Sequence, residues 1–309
     1  MDRTSKGILA IVGCACLWSI GGLFIKLVPW HPLVIAGARS LIAGLFILGA
    51  RILRTRLNLA GTFPVGPARA SHPATRFFPE TNRFAFWGGS LSLAATMLIF
   101  VAANKLTTAA NVILLQYSAP VYAALLGWAL AKEKPFPEHW AALVAVIFGL
   151  GLFFKDGLGS MNLLGDGLAI LSGLTFGAYS VFMRMQKDGR PEDSILVAHL
   201  ITALVGLPWA LIAPPAITLP AIGAIVVLGV FQMGFAFMLF AYGIRRVSAV
   251  QSMLSSVIEP ILNPVWVLIF TGERPGIPAI AGGTVILVSV SVSSVISVRR
   301  RLREEQGRQ

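Results

Sequence analysis

Ten apolar stretches, each about twenty residues long, constrain the fold of this chain more than any other feature. They cover residues 7–27, 32–53, 84–105, 108–131, 138–154, 164–186, 192–213, 217–241, 248–270 and 277–297. Helices of about twenty residues cross a bilayer, whereas outer-membrane strands need only about ten. Only 12% of the residues are charged, against about 25% in soluble domains. The sequence therefore predicts an all-α integral membrane protein with ten transmembrane helices.

The positions of Lys and Arg predict how these spans are oriented. With the N-terminus in the cytoplasm, 20 of the 25 basic residues fall on the inner side and 4 on the outer side. The positive-inside rule favours this arrangement, so the net charge of +12 predicts no nucleic-acid partner. We expect a multi-pass protein of a bacterial-type inner (plasma) membrane, with the lipid bilayer as a partner and both termini cytoplasmic. No small-residue cleavage site precedes Lys26, so the first span is expected to be retained rather than removed as a signal peptide.

The two halves of the chain repeat each other. Residues 111–135 match residues 251–275 at an offset of 140, and the first span matches the sixth at an offset of 158. The 18 extra residues of the first half are placed in the loop 54–83. Each repeat holds five spans, an odd number, so the second repeat is predicted to be inverted relative to the first. Inverted repeats around a central cavity, with a site near the midplane, are typical of secondary transporters.

These repeats define the predicted domains. The first repeat covers residues 1–155 and includes the cytoplasmic loop 54–83. The second repeat covers residues 156–298, and residues 299–309 form a basic cytoplasmic tail. The loop is interpreted as an inner-face linker, with contact to anionic lipid headgroups as the alternative.

Glu259 lies near the middle of the ninth span, where the first repeat has Ala119. Glu259 and Arg39 are the charged residues well inside predicted spans, and an unpaired charge at that depth costs several kcal/mol. Three interpretations of Glu259 stay open: a proton-coupling or amine-binding acid, a structural acid bonded to neighbouring helices, or a partner of Arg39. For Arg39, a structural role and binding of a substrate carboxylate both stay open.

Polar and aromatic residues at middle depth supply the other candidate cavity residues. Read as one helix, residues 252–263 place Glu259 and Asn263 on a polar stripe with three serines. Each candidate is also compatible with a simple helix–helix contact. The predicted substrate-binding residues are Trp18, Arg39, Gln116, Tyr117, Tyr179, Gln232 and Asn263.

Prolines and corner acids complete the predicted functional set. Pro120, Pro260 and Pro264 lie inside apolar spans, where a proline removes a backbone hydrogen bond and frees a carbonyl. We expect them to kink the helices, with Pro120 and Pro260 at equivalent places in the two halves. Glu133 and Glu273 lie at span ends before a proline and are predicted to be structural corner residues beside the positive end of the next helix.

The sequence lacks the motifs that indicate ATP binding, serine-hydrolase activity or metal binding. No GxxxxGK[ST] loop indicates ATP binding, no GxSxG elbow is present, and the four histidines show no metal-ligand spacing. The sequence thus predicts no enzyme activity, no cofactor and no metal. The alternatives are a membrane-embedded enzyme acting on lipids, which lacks an interfacial catalytic cluster, and a non-transporting sensor or scaffold, which lacks an output domain.

The duplicated five-span unit resembles the EamA-type transporters of the drug/metabolite transporter superfamily. The Trp18-Ser19 pair, Arg39, the Glu259-Pro260 pair and the turn motifs KEKP (132–135) and GERP (272–275) carry the resemblance. It implies ten helices around a central cavity, alternating access, and secondary active transport of small metabolites such as amino acids, often outward. We expect a monomer with a small-molecule substrate and possible roles for protons in coupling. The loop 54–83 departs from the compact family pattern.

Overall fold

The computed structural model describes residues 3–56, 82–134, 136–155, 162–188, 190–256, 258–272 and 277–306. Its regular structure is entirely helical over these residues. The α-helices are α1 (Arg3–Trp18), α2 (Gly21–Leu27), α3 (Pro32–Arg56), α4 (Arg83–Leu106), α5 (Ala109–Gln116), α6 (Ala119–Ala131), α7 (Pro137–Lys155), α8 (Leu163–Met185), α9 (Pro191–Gly206), α10 (Trp209–Ile212), α11 (Leu219–Val227), α12 (Ala236–Ile244), α13 (Ala249–Ser255), α14 (Ile258–Thr271) and α15 (Ile277–Gln306). A π-helical segment, Leu228–Phe235, joins α11 to α12.

These helices confirm the predicted all-α membrane fold. Within the described residues, eight helical stretches are long and apolar enough to cross a membrane, some of them built from two consecutive helices. Helices α7 and α15 occupy the fifth and tenth predicted spans and pack extensively against each other. Residues 57–81 of the predicted loop, and Glu273, lie outside the described residues.

Four of the spans are interrupted near their middle. The first breaks after Trp18, the fourth between α5 and α6, and the ninth between α13 and α14, while the eighth contains the π-helical segment. Pro120 is the second residue of α6 and Pro260 the third of α14. A proline is tolerated in the first turn because its missing N–H has no helical partner there. The expectation of one continuous helix through residues 252–263 is therefore wrong, whereas Pro264 does lie inside α14.

The duplication is visible in the local conformations at an offset of 140. The Thr108 hydroxyl caps α5 by accepting from the amide of Asn111 at 3.0 Å, and Ser248 caps α13 in the same way. At the other end, Lys132 (φ 57°) and Gly272 (φ 72°) end α6 and α14 in the left-handed conformation. They are the two positive-φ residues in the described part of the chain. The equivalent helices thus begin and end with the same geometry.

Helices of one half pack mainly on helices of the other. Helix α4 of the first half packs on α8 of the second half. The equivalent pair, with the halves exchanged, is α12 of the second half on α1 of the first. Gly173 and Gly177 bring α8 against the fourth span. A Cβ on Gly173 would lie 2.8 Å from the Gln116 carbonyl oxygen, and one on Gly177 would lie 2.7 Å from that of Ala119. The two repeats are interleaved rather than separate.

Polar contacts join the two halves at both ends of the bundle. At one end Arg51 pairs with Asp193 and Arg184 with Glu133, each at 2.7 Å. Arg300 pairs with Glu138 between the halves at the same end, whereas the Arg245–Glu192 pair there lies within the second half. At the opposite end, Asp166 accepts hydrogen bonds from Thr107 and Asn111. Glu133, predicted as a corner residue, therefore bonds to the end of a helix from the second half.

Replacing Lys132 by Gly is expected to stabilise the protein by about 0.5–1 kcal/mol, because glycine adopts positive φ without steric cost. Replacing Gly272 by Ala should destabilise it by about 1 kcal/mol or more. Unfolding in detergent, followed by circular dichroism, measures both changes. Lys132→Ala is the control for the lost ammonium group; equal effects of Lys132→Gly and Lys132→Ala would contradict the backbone explanation.

Candidate functional site

A small cavity of about 40 Å³ lies where the interrupted spans meet. Five of the residues predicted from the sequence line it: Trp18, Arg39, Gln116, Gln232 and Glu259. The remaining lining residues are Leu93, Thr96, Met97, Phe100, Phe176, Met233 and Phe237. Both halves of the chain therefore contribute to one central site.

Arg39 is fully buried in α3 and holds few partners for its five donors. Its Nη1 donates to Oε1 of Gln232 and its Nη2 to the Met97 carbonyl, both at 3.3 Å. These distances are long for charge-assisted hydrogen bonds, which are typically about 2.7–2.9 Å. Its Nε has no partner among the described residues, and no carboxylate pairs with it there. Arg39 therefore has unused capacity to bind an anionic group.

Glu259 is the second residue of α14 and is 5% exposed. Its place in the first turn suits a carboxylate, because the helix dipole is positive there. Within the described part of the chain, its carboxylate makes no hydrogen bond and no ion pair, with Arg39 or any other residue. Two of the three interpretations, a bonded structural acid and a partner of Arg39, thus find no contact in this structure.

Aromatic rings form one wall of the cavity. Trp18 meets Phe176 and Phe237 edge-on, each with ring centroids 5.3 Å apart. Tyr179 stacks on Phe240 behind this wall, at 5.2 Å, and is fully buried. Tyr179 was predicted to bind substrate at the cavity surface, but in the structure it lies behind the lining residues. Such edge-to-face pairs each contribute about 0.5–1.5 kcal/mol beyond burial, which holds the wall in place.

Two other predicted residues also lie away from the lining. The Tyr117 hydroxyl donates to Ser256 at 3.1 Å and so connects the breaks in the fourth and ninth spans. Asn263 is buried beside Gly22, where a Cβ would lie 2.6 Å from its Oδ1, and its amide has no partner among the described residues. Tyr117 therefore links two spans beside the cavity, whereas Asn263 packs against the first span without a hydrogen bond.

The sequence analysis missed the contribution of α4. Thr96 and Met97 each lie three or four residues from both Leu93 and Phe100, so the four side chains share one helix face. That spacing was a usable signal, but three of the four are apolar and resemble ordinary membrane-helix residues. The Thr96 hydroxyl bonds to Thr175 at 2.8 Å and ties this face to α8.

The π-helical segment positions Gln232. Its Gly229 and Gly234 lie close to α3: a Cβ on either would come within 2.6 Å of the Ile42 or Phe46 side chain. The widened turn and this close approach place the Gln232 amide against Arg39. π-helical turns inserted in α-helices are frequent at functional sites. Among the described residues, no group of His, Cys, Asp and Glu side chains could hold a metal ion.

The chain matches the EamA-like transporter family over residues 5–155 and 163–295. It belongs to that family. Two relatives are named as transporters. An uncharacterized transporter of Bacillus subtilis, YwfM, is 26% identical over 211 residues, covering 67% of this chain and 71% of that protein. An uncharacterized transporter of Archaeoglobus fulgidus is 26% identical over 201 residues, covering 64% and 72%.

A solved crystal structure shares the fold of this EamA-family protein. It covers 96% of this chain and 98% of its own, with a TM-score of 0.69 and 19% identity. At that identity the likeness shows the fold alone. The family and the transporter-named relatives identify a multi-pass membrane transporter, as the sequence predicted.

Thr96→Cys in a Cys14→Ala, Cys16→Ala background is expected to react with a water-soluble methanethiosulfonate reagent, because the cavity is filled by water during the transport cycle. Thr202→Cys is the matched control, since Thr202 is fully buried in α9 and does not line the cavity. Mass spectrometry should show labelling at Thr96→Cys at least about tenfold faster. Equal rates at the two positions would show that the cavity stays dry.

Proposed function

We propose that this protein is a secondary active transporter that exports small metabolites, such as amino acids, by alternating access to the central cavity. One observation carries the proposal. Arg39 and Glu259, of opposite charge, face the same buried cavity but are not paired with each other. Burying two unpaired charges costs several kcal/mol. A bound ligand or proton that neutralises them would therefore stabilise the protein.

A zwitterionic metabolite matches both charges. A carboxylate fits the donors of Arg39, which prefers planar bidentate partners. An ammonium group fits the carboxylate of Glu259. The rings of Trp18, Phe176 and Phe237 offer an apolar wall to the rest of the molecule. Recognition by three separate groups favours small amphipathic substrates.

The same carboxylate supports proton coupling. A Glu259 without partners is favoured in its neutral form, whereas a cationic substrate group favours its charged form. Substrate and proton would therefore compete for one site, which makes the protein an antiporter. The interleaved pairs α4 with α8 and α1 with α12 border the cavity, and we propose that they tilt against each other about the breaks near Pro120 and Pro260.

The charge pattern supports the proposed orientation in the membrane. The end that carries the ion pairs is the end predicted to be cytoplasmic. We propose a bacterial-type inner membrane, both termini cytoplasmic, and export driven by inward proton movement.

Glu259→Gln is expected to abolish the response of transport to an imposed pH gradient. Proteoliposomes loaded with unlabelled amino acids and metabolites are tested for uptake of each labelled compound, with protein-free liposomes as the blank. Asp166→Asn is the matched control, because Asp166 is a buried acid held by Thr107 outside the cavity lining. Full pH dependence in Glu259→Gln would exclude the coupling role while leaving the transporter assignment intact.

Arg39→Gln is expected to weaken binding of carboxylate-bearing substrates by about 10- to 150-fold, the loss of a charged hydrogen bond worth about 1.5–3 kcal/mol. Amine analogues that lack the carboxylate should lose little. Uptake kinetics for both compounds measure the difference, and Arg51→Gln, which removes an arginine paired with Asp193 outside the cavity, is the control. Equal losses for both compounds would indicate that Arg39 is purely structural.

A further inference from the structure

A second cavity, of about 220 Å³, lies on the outer surface of the bundle between α3 and α9. Its rim is apolar and exposed: Leu45 is 61% exposed and Leu200 is 56% exposed. The lining residues are Ser40, Leu41, Gly44, Leu45, Leu48, Leu196, Val197, His199, Leu200 and Ala203. We call this cavity the α3–α9 groove. Since α3 and α9 are membrane spans, the groove faces the hydrocarbon of the bilayer.

Two polar side chains, Ser40 and His199, lie at the floor of this otherwise apolar groove. His199 is 1% exposed, and neither of its ring nitrogens has a hydrogen-bond partner in the described part of the chain. An imidazole without a partner in hydrocarbon costs free energy, because its N–H and its lone pair are both unsatisfied. The hydrocarbon tail of an ordinary lipid has no group that could form a hydrogen bond with this ring. The floor therefore points to a ligand with a polar group at one end.

A single layer of side chains separates the groove from the central cavity. The His199 ring meets Phe237 edge-on, with centroids 5.6 Å apart. The Ser40 hydroxyl lies 3.7 Å from the sulfur of Met97. Phe237 and Met97 both line the central cavity. Methionine is unbranched and adapts its shape easily, so Met97 is suited to move aside between the two spaces.

We propose that the α3–α9 groove is a lateral entrance from the bilayer to the central cavity, and that it admits amphipathic anions with one alkyl chain. The alkyl chain lies among the leucines of the groove. The acidic head passes His199, whose N–H donates to it, and reaches the unused donors of Arg39, the residue next to Ser40. This proposal deepens the proposed function, on which it rests, by extending the substrate class to molecules taken from the membrane.

The test uses two probes that carry the same diazirine-bearing acyl chain: a free fatty acid and a phosphatidylcholine. Each is photocrosslinked to the full-length protein in proteoliposomes, and labelled peptides are identified by mass spectrometry. Gly44→Leu fills the groove: a Cβ at Gly44 lies 3.6 Å from the His199 Cβ, an ordinary contact, and the longer side chain extends beyond it. Gly49→Leu is the matched control on the same helix, since a Cβ there meets nothing within 4 Å.

The fatty acid is expected to label residues 41–48 and 196–203 in the unmodified protein and in Gly49→Leu, with at least a fivefold loss in Gly44→Leu. A fatty acid with the diazirine near its carboxyl group should also label the α4 peptide that contains Met97. If Gly44→Leu does not purify as a folded protein, Leu200→Trp, on the exposed rim, fills the same groove. Equal labelling by phosphatidylcholine, or no loss in the filled variants, would show that ordinary lipid occupies the groove and would overturn the proposal.

The crosslinking result is independent of the transport assays. Failure of the unmodified protein to exchange any small metabolite counts against the proposed function and leaves the labelling pattern to decide the entrance. Normal metabolite exchange in Gly44→Leu, together with lost labelling, separates the membrane route from the route taken by water-soluble substrates.

Discussion

Hydrocarbon offers no hydrogen-bond partner, so each polar group inside this bundle must find one on a neighbouring helix. Most of the central ones do. Gln116 donates to Ser172, and Tyr117 donates to Ser256, in each case between segments of different halves. These contacts join the repeats into one interleaved body. Three of the described residues that lack partners carry the functional information: Arg39 and Glu259 line the central cavity, and His199 lines the α3–α9 groove.

The sequence predicted what depends on local composition and on spacing along the chain. Apolar length determines the spans, and the 140-residue offset anticipates that α5 and α13 share a cap and that α6 and α14 share a left-handed end. Residues chosen for depth and chemistry, such as Trp18, Gln232 and Glu259, do meet in one cavity. Burial cost alone places such groups toward the interior, so no knowledge of the packing was needed for them.

What the sequence could not predict depends on contacts between distant segments. The π-helical segment packs closely against α3 at Gly229 and Gly234. This packing depends on a distant part of the chain, so the residue pattern of the eighth span alone does not predict it. The breaks in the fourth and ninth spans place Tyr117 and Ser256 within hydrogen-bond distance of each other, and the second break leaves Glu259 without a partner in the first turn of α14. Tyr179 was predicted as a cavity residue from its depth in the membrane, but its ring does not face the cavity. It stacks on Phe240, which in turn contacts Trp18.

The two repeats differ in that the second carries Glu259 where the first carries Ala119, and the packing of the duplicated helices accounts for this difference. In one half, Gly173 and Gly177 press α8 onto the backbone of the fourth span, and Ala119 fills that contact; a carboxylate there would have no space. At the offset of 158, the first span carries Ala15 and Ser19 in place of these glycines. The first span is interrupted after Trp18, and its close contact with the ninth span is made at Gly22, beside Asn263. The side chain of Glu259 lines the central cavity instead, so a symmetric fold produces an asymmetric site.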